Sequence, residues 1–475
     1  MSAGARGALS ARGMIHTATP AAIIVGAGLA AALFGLLLVA IAVEYGGDAA
    51  PVLMLGLPLA GIFSLLVLWL PTWGVLAVFA AFPMGTLALP GTPLEVVEAL
   101  VLAVAVLLAF HRLGQGQTML PWVGPMWWAL ALIAWSIVCL ESAIDHDLGI
   151  RQILQLTGGL LFASVVIGVC RNMNDLRRVL GGITAVGAFI AALALTSVGN
   201  ITIVLGGAVA EGRLHGAFTD PNQLGAFSAM TLFPAIGLLG GSKTKRARIL
   251  SLVALVLISA ALLLSLSRGA WVGVVLGIVF LLVTVQEFRR LLLGFGIPAV
   301  IVASALGAFA PDAPQVQVVQ ARLRSFTVLS PYDARDQIWA EGLREMRENA
   351  ITGVGPGSFP VASLRSASGT STVFAEHAHS IFFTWGAETG VPGLLIVIGI
   401  MVALAATGRR TIQTARRWAR NRDRILISGV AAGLVTVVGH GLVDYNLRNT
   451  VIHLAVWSLI GALLAASRLQ TGGVR

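Results

Sequence analysis

Charge is scarce in this chain, and so are the residue patterns that most soluble catalysis uses. Asp, Glu, Lys and Arg together make up only 11% of 475 residues. A soluble fold of this length needs more polar surface than that, which excludes an ordinary globular enzyme. Only two cysteines occur, Cys139 and Cys170. They fall near opposite ends of consecutive apolar runs, which excludes a disulfide between them and leaves too few thiols for a metal cluster. Both read as small core residues. There is no P-loop and no Gly-x-Gly-x-x-Gly turn opening a Rossmann unit, so nucleotide-driven transport and dehydrogenase chemistry have no support. Barrel-type alternation is lacking too, and unpaired backbone is costly in lipid, so any spans must be helical. The first apolar run has no signal-peptidase-type site behind it and reads as a retained helix.

What the chain has is hydrocarbon: 57% hydrophobic residues and a mean hydropathy of +0.90. Apolar runs close to the ~20 residues that cross a bilayer recur along it. They lie at about 21–44, 52–70, 74–90, 96–110, 121–141, 152–170, 179–199, 222–241, 249–266, 270–285, 291–310, 381–407, 425–442 and 451–467. Prolines 83, 90 and 93 interrupt the third and fourth runs, and a re-entrant pair there lowers the count from about 14 to about 12. The expected fold is therefore all-α, a polytopic transmembrane helix bundle of about 12–14 spans with one large outer loop carrying short helices. Its expected parts are a tail over 1–20, a transmembrane bundle over 21–310, the loop over 311–380, C-terminal transmembrane helices over 381–467 and a tail over 468–475.

The formal net charge of +10 suggests nucleic acid until its distribution is followed. With both termini inside and sides alternating, 21 of the 31 Lys and Arg fall inside, with only Asp175, Glu287 and Asp423 among the 21 acidic residues. That is the positive-inside pattern, so the excess reports orientation and contact with anionic membrane lipids rather than nucleic acid. On the outer side two loops are long. One, about 200–221, ends in Arg213 and Asp220-Pro-Asn222. The other, 311–380, contains an amphipathic stretch from Asp333 to Asn349 with Ile338, Leu343 and Met346 on one side, Trp339 beside them, and Glu341, Arg344, Glu345 and Glu348 elsewhere. Asp333 suits its N-cap, and the helix could lie over the membrane domain as a lid. Gly353, Gly355 and Gly357 around Pro356 predict a tight turn.

Three places can carry chemistry. Ser267-Arg268-Gly269 sits between two apolar runs with no polar spacer. Arg268 is either a snorkelling helix-end residue or an anion clamp whose planar fork suits phosphate oxygens. Arg213 lies on the same side with no evident structural task, whereas Asp220 and Asn222 have a capping role available to them. Two arginines on one face fit a diphosphate better than a lone carboxylate. His379 begins the span that closes the long loop, with His377 two residues before it. A neutral imidazole there can take a proton from a hydroxyl, and Glu388 is a carboxylate that could orient it. His-x-His by itself lacks the further ligands that tetrahedral zinc requires, and Asp145-His146-Asp147 is a weak metal motif in a short outer loop.

The order Arg213…Asp220-Pro-Asn222, Ser267-Arg268-Gly269, Arg335…Trp339, Gly353-Val-Gly355-x-Gly357-x-Phe359, His377-x-His379-Ser380 and Glu388-Thr-Gly390-x-x-Gly393, followed by Gly441-Leu-Val-Asp444, resembles the O-antigen ligase and polymerase superfamily. The matching blocks run from about 205 to 410. The family usually has Asn where this chain has Ser380. The resemblance implies a metal-independent, cofactor-free glycosyltransferase of the membrane-embedded GT-C type in the bacterial inner membrane, with its site facing the periplasm. Its donor would be a glycan on undecaprenyl diphosphate, and its acceptor lipid A–core for a ligase or a second lipid-linked glycan for a polymerase. Arg213 and Arg268 would neutralise the leaving group, and His379 would activate the acceptor hydroxyl. Asp220, Asn222, Arg335, His377 and Glu388 would line the substrate. A transporter of lipid-linked sugar is the rival from another class; it predicts ionisable residues in mid-span, whereas here most charges sit at the boundaries.

Overall fold

The computed structural model describes residues 49–85, 87–89, 92–196, 213–291, 317, 320, 335–369, 374–418 and 421–471. The N-terminal tail, the expected spans at 21–44 and 291–310, most of 311–334 with Asp333, and the last four residues lie outside them. The described elements are α1 (Ala49–Trp69), α2 (Thr72–Ala80), a 3-10 turn (Phe82–Met84), α3 (Val96–Leu113), α4 (Met126–Cys139), α5 (His146–Val169), α6 (Met173–Leu195), α7 (Pro221–Gly241), α8 (Lys245–Leu264), α9 (Arg268–Thr284), α10 (Gln286–Leu291), α11 (Arg335–Glu348), α12 (Phe359–Gly369), α13 (Ile381–Trp418), α14 (Asn421–Gly441) and α15 (Thr450–Thr471). Eight of these helices are long and apolar enough to cross a membrane, and three shorter apolar helices accompany them. No strand forms among the described residues, and the fold is the expected all-α bundle.

The span expected at 74–90 differs. Its helix stops at Ala80 because Pro83 cannot supply an N–H to continue it, and Phe82–Met84 turn as a 3-10 segment instead. Gly85 then packs on Val451 at the start of α15. The neighbouring run at 96–110 is a full helix, opened by a reciprocal Glu95–Glu98 capping box.

Charge separates the bundle's two ends. At one, Arg177 pairs with Asp423, Arg424 with Glu287 at 2.7 Å, and Lys243 reaches Asn174 at 3.1 Å, which gathers the basic segments together. At the other, Arg151 bonds Glu98 at 2.7 Å, Glu95 at 3.1 Å and Thr450 at 3.0 Å. Between the ends, α14 lies against both α7 and α9, with approach close enough that a Cβ on Gly273 would sit 2.6 Å from the Thr436 carbonyl. Small residues at such crossings let backbones meet, which is how helices associate without a hydrophobic gradient between them. The close fit puts the start of α9 beside the end of α14.

The second end is organised by the glycine turn. Gly353, Gly355 and Gly357 have φ of 66°, 95° and 73°, a region L-residues avoid. Val354 N donates to Ala387 O at 2.9 Å, and its own carbonyl accepts from Ile144 N at 3.0 Å. The turn thus stitches the α4–α5 connection to α13. A Cβ on Gly355 would stand 2.2 Å from Ala143 Cα, so Gly355→Ala is expected to lower stability by about 2 kcal/mol or more through strain and clash together. A thermal melt of the purified protein measures it, and an unchanged midpoint would refute the close packing.

α13 breaks at Gly390 (φ 69°), ahead of Pro392. The groups freed by the break are recaptured: Trp135 Nε1 donates to Thr389 O at 2.8 Å, and Val391 N donates to Ala350 O at 2.8 Å. α11 packs on the first turns of α13, where Ile338, Phe359, Ala378, Ala387 and Phe383 form a small core of their own. Glu345, expected on the polar side of α11, is buried beside Arg344 at 2.6 Å.

Candidate active site

One wall of the site is made at the ends of α7, α8 and α9. α8 stops at Leu264, and Leu266 takes a left-handed conformation (φ 52°) where helices commonly place glycine. The turn leaves the Ser265 carbonyl open, and Arg213 Nε donates to it at 3.0 Å. Arg213 Nη2 donates to Asn222 Oδ1 at 2.6 Å. Arg213 therefore has a structural task that its sequence context did not reveal, tying the α7 entry to the α8–α9 turn. Asp220 is engaged as the N-cap of α7, accepting from Asn222 N. Ser267 caps α9, so Arg268 is that helix's first residue. Burial lowers the Arg213 pKa from its usual value; Asp220 and Asp444 oppose that shift, while Arg335 and Arg268 add to it. Asp220, Asp444, Arg335 and Arg268 therefore all lie within electrostatic reach of Arg213. The positive ends of α7 and α9 face the same region, a setting that favours an anion.

The other wall is histidine and carboxylate. His379 Nδ1 lies 2.9 Å and His377 Nε2 3.4 Å from the same oxygen, Asp444 Oδ1, in the loop between α14 and α15. Tyr445 N donates to that oxygen at 2.9 Å. Arg335, the first residue of α11, places a guanidinium nitrogen 4.0 Å from Asp444 Oδ2. Burial alone would raise the Asp444 pKa, yet the bonds from His377 and His379 and the nearby His440 hold it well below the usual carboxylate range. Burial lowers the His377 pKa. His379 has φ 43°, and Trp339 Nε1 donates to its carbonyl at 3.2 Å. The only described non-glycine residues with positive φ are Leu266 and His379. One shapes each wall, and such strain collects at functional sites.

The structure thus brings His379, His377, Arg335 and Arg213 around Asp444, with Asn222 and Asp220 behind Arg213. Glu388 does not join them. It is fully buried, pairs with Arg448 and accepts from Phe359 N at 3.3 Å. The carboxylate that meets His379 is Asp444, 65 residues away in sequence. In the sequence it stood only as the end of the Gly441-Leu-Val-Asp444 element, with no role attached. Asp145, from the weak metal motif, caps α5 by accepting from Leu148 N at 3.0 Å.

Asp444 also supplies a third potential ligand to His377 and His379, the three donor atoms lying within 4.8 Å of one another. That corrects the expectation that His-x-His stands without further ligands. The electrostatic surroundings nevertheless suit an anion better than a dication: the carboxylate already serves three hydrogen-bond donors, and Arg335 flanks it.

Residues 253–398 match the family model described as O-Antigen ligase. The match supports the resemblance to the O-antigen ligase and polymerase superfamily over that segment. The match carries Arg268, Arg335, the glycine turn, His377, His379 and Glu388; Arg213 and Asp444 fall on either side of it. No curated protein matches the chain. The match supports a ligase- or polymerase-type function of a membrane glycosyltransferase-like enzyme, and the eight long apolar helices suit a multi-pass membrane protein.

Proposed function

We propose that this protein is an O-antigen ligase-like transferase that moves a glycan from undecaprenyl diphosphate to a sugar hydroxyl on lipid A–core, at the periplasmic face of the inner membrane. The observation that carries this reading is the His379–Asp444 pair facing an arginine wall at one end of the bundle. With Nδ1–H donated to Asp444, His379 keeps Nε2 as the acceptor for a proton. The acceptor hydroxyl loses its proton to Nε2 while its oxygen bonds to the anomeric carbon. The bond from that carbon to the diphosphate oxygen breaks, and the carrier leaves as undecaprenyl diphosphate with the electron pair. Direct displacement inverts the anomeric configuration. Arg213 and Arg268 balance the charge that builds on the leaving group, a task suited to fixed cations in a water-poor site. No step needs a metal or cofactor. The positive-inside pattern, with the basic end of the bundle toward the cytoplasm, supports a periplasmic site at the opposite end.

Deletion of the gene in its host tests the reading. A ligase predicts bare lipid A–core with long polymer left on the carrier; core bearing a single repeat would make the enzyme a polymerase with the same donor. Arg213→Lys keeps the charge but not the fork, and is expected to cost about tenfold or more in turnover. Wild-type turnover in that variant would remove Arg213 from the diphosphate site.

A further inference from the structure

Asp444 uses its two oxygens unequally. Oδ1 receives His379, His377 and the Tyr445 backbone N–H. Arg335 lies 4.0 Å from Oδ2 and His440 Nε2 lies 3.9 Å from it. Both separations exceed a direct hydrogen bond, and a polar contact of that length invites a bridging water.

His440 sits at the end of α14 and is 5% exposed. Asn446 Nδ2 lies 3.5 Å from its Nδ1. An amide nitrogen only donates, so Nδ1 accepts and the ring hydrogen is on Nε2. That Nε2 has no hydrogen-bond partner among the described residues, although it is buried and turned toward Asp444. A cavity of about 20 Å³ lies there, and Thr436, His440, Asp444 and Asn446 supply polar atoms to its lining. That is room for one water with enough polar partners to hold it.

The ring is also held against both arginine-bearing segments. A Cβ on Gly269, next to Arg268, would stand 2.5 Å from His440 Cδ2 and 2.9 Å from Nε2. Only glycine leaves space for the imidazole at that approach. Asn446 Nδ2 reaches the Asn222 carbonyl at 3.4 Å. His440 and Asn446 therefore connect the starts of α7 and α9 to the carboxylate that serves His379.

We propose that His440 is a positioning residue that donates, through one water in this cavity, to Asp444 Oδ2, so that Oδ1 stays committed to His379. The proposal rests on the reading of His379 as the base. It is tested with the purified full-length protein in nanodiscs, using undecaprenyl-diphosphate-linked oligosaccharide extracted from the host as donor and measuring release of the carrier diphosphate. His440→Leu is expected to lower kcat about 10–100-fold, with the donor KM within about twofold. His440→Gln, whose amide can reach the ring's ε position, stays within about fivefold of wild type, whereas the shorter His440→Asn falls with leucine. Adding His440→Leu to His379→Ala causes no further loss, because both act through one pair. Wild-type kcat in His440→Leu, equal impairment of the Gln and Asn variants at matched melting temperature, or an additive loss in the double variant would each overturn it. Full turnover in His379→Ala alone would overturn the base assignment itself, and is read separately from the His440 series.

Discussion

His379→Ala is expected to lower turnover by about 10²–10⁴-fold while leaving the melting temperature nearly unchanged. The size follows from what is lost: the imidazole proposed to take the hydroxyl proton while Asp444 holds its opposite nitrogen at 2.9 Å. The side chain is 27% exposed, so alanine opens no deep cavity and stability is spared. Asp444→Asn should be nearly as damaging. The amide keeps the volume, but it presents a donor or an uncharged acceptor where His379 needs a carboxylate to fix its tautomer and stabilise the imidazolium. The two substitutions together should do no more harm than the worse of them, since the residues act as a unit. Kinetics on purified variants with verified folding decide this. Turnover within threefold of wild type in Asp444→Asn would dissolve the pair as a mechanistic unit, even if His379→Ala were inactive.

The largest stability effect is expected at Glu388 and Arg448. The carboxylate is fully buried, and the guanidinium side chain is 26% exposed. Removing the cation by Arg448→Met leaves a buried carboxylate with the Phe359 amide as its remaining donor, which should cost about 3–5 kcal/mol. Glu388→Gln should cost less, because the cation it strands is partly solvated and the amide can still accept from Phe359 N. The order of the two effects matters more than either value. Joint replacement by Glu388→Leu and Arg448→Met should recover part of the loss, as buried pairs exchanged for apolar groups commonly do. Thermal unfolding in one detergent ranks the three; equal midpoints for the single variants would mean that the carboxylate is solvated rather than buried.

The helical bundle was legible in the sequence because hydropathy alone sets where lipid-spanning helices can lie. The departure at 74–90 was legible only in part. Pro83 announced an interruption, but not that the chain would complete the distance with a 3-10 turn docked on Val451. His379 and His377 carried a local signal, being polar residues at the edge of an apolar run, whereas Arg335 entered only through the resemblance. Asp444 stood out only as the end of the Gly441-Leu-Val-Asp444 element and not as their partner, because His379 and His377 lie 65 and 67 residues away and no periodicity encodes such a meeting. Glu388 misled for the same reason: nearness in sequence to His379 suggested a partner, yet its carboxylate pairs with Arg448. Arg213 was found as a charge and missed as a brace, since the carbonyl it holds becomes available only through the left-handed Leu266.

Asp444 lies in the loop that joins the last two helices. A ribosome delivers both arginines, the glycine turn and His379 before it reaches this residue, and α15 follows later still. Throughout synthesis, a nearly complete bundle therefore carries a histidine without the carboxylate that directs it. With the proposed pair completed only by the final hairpin, a chain stalled or clipped after α14 is expected to be an idle scaffold rather than a partly active enzyme.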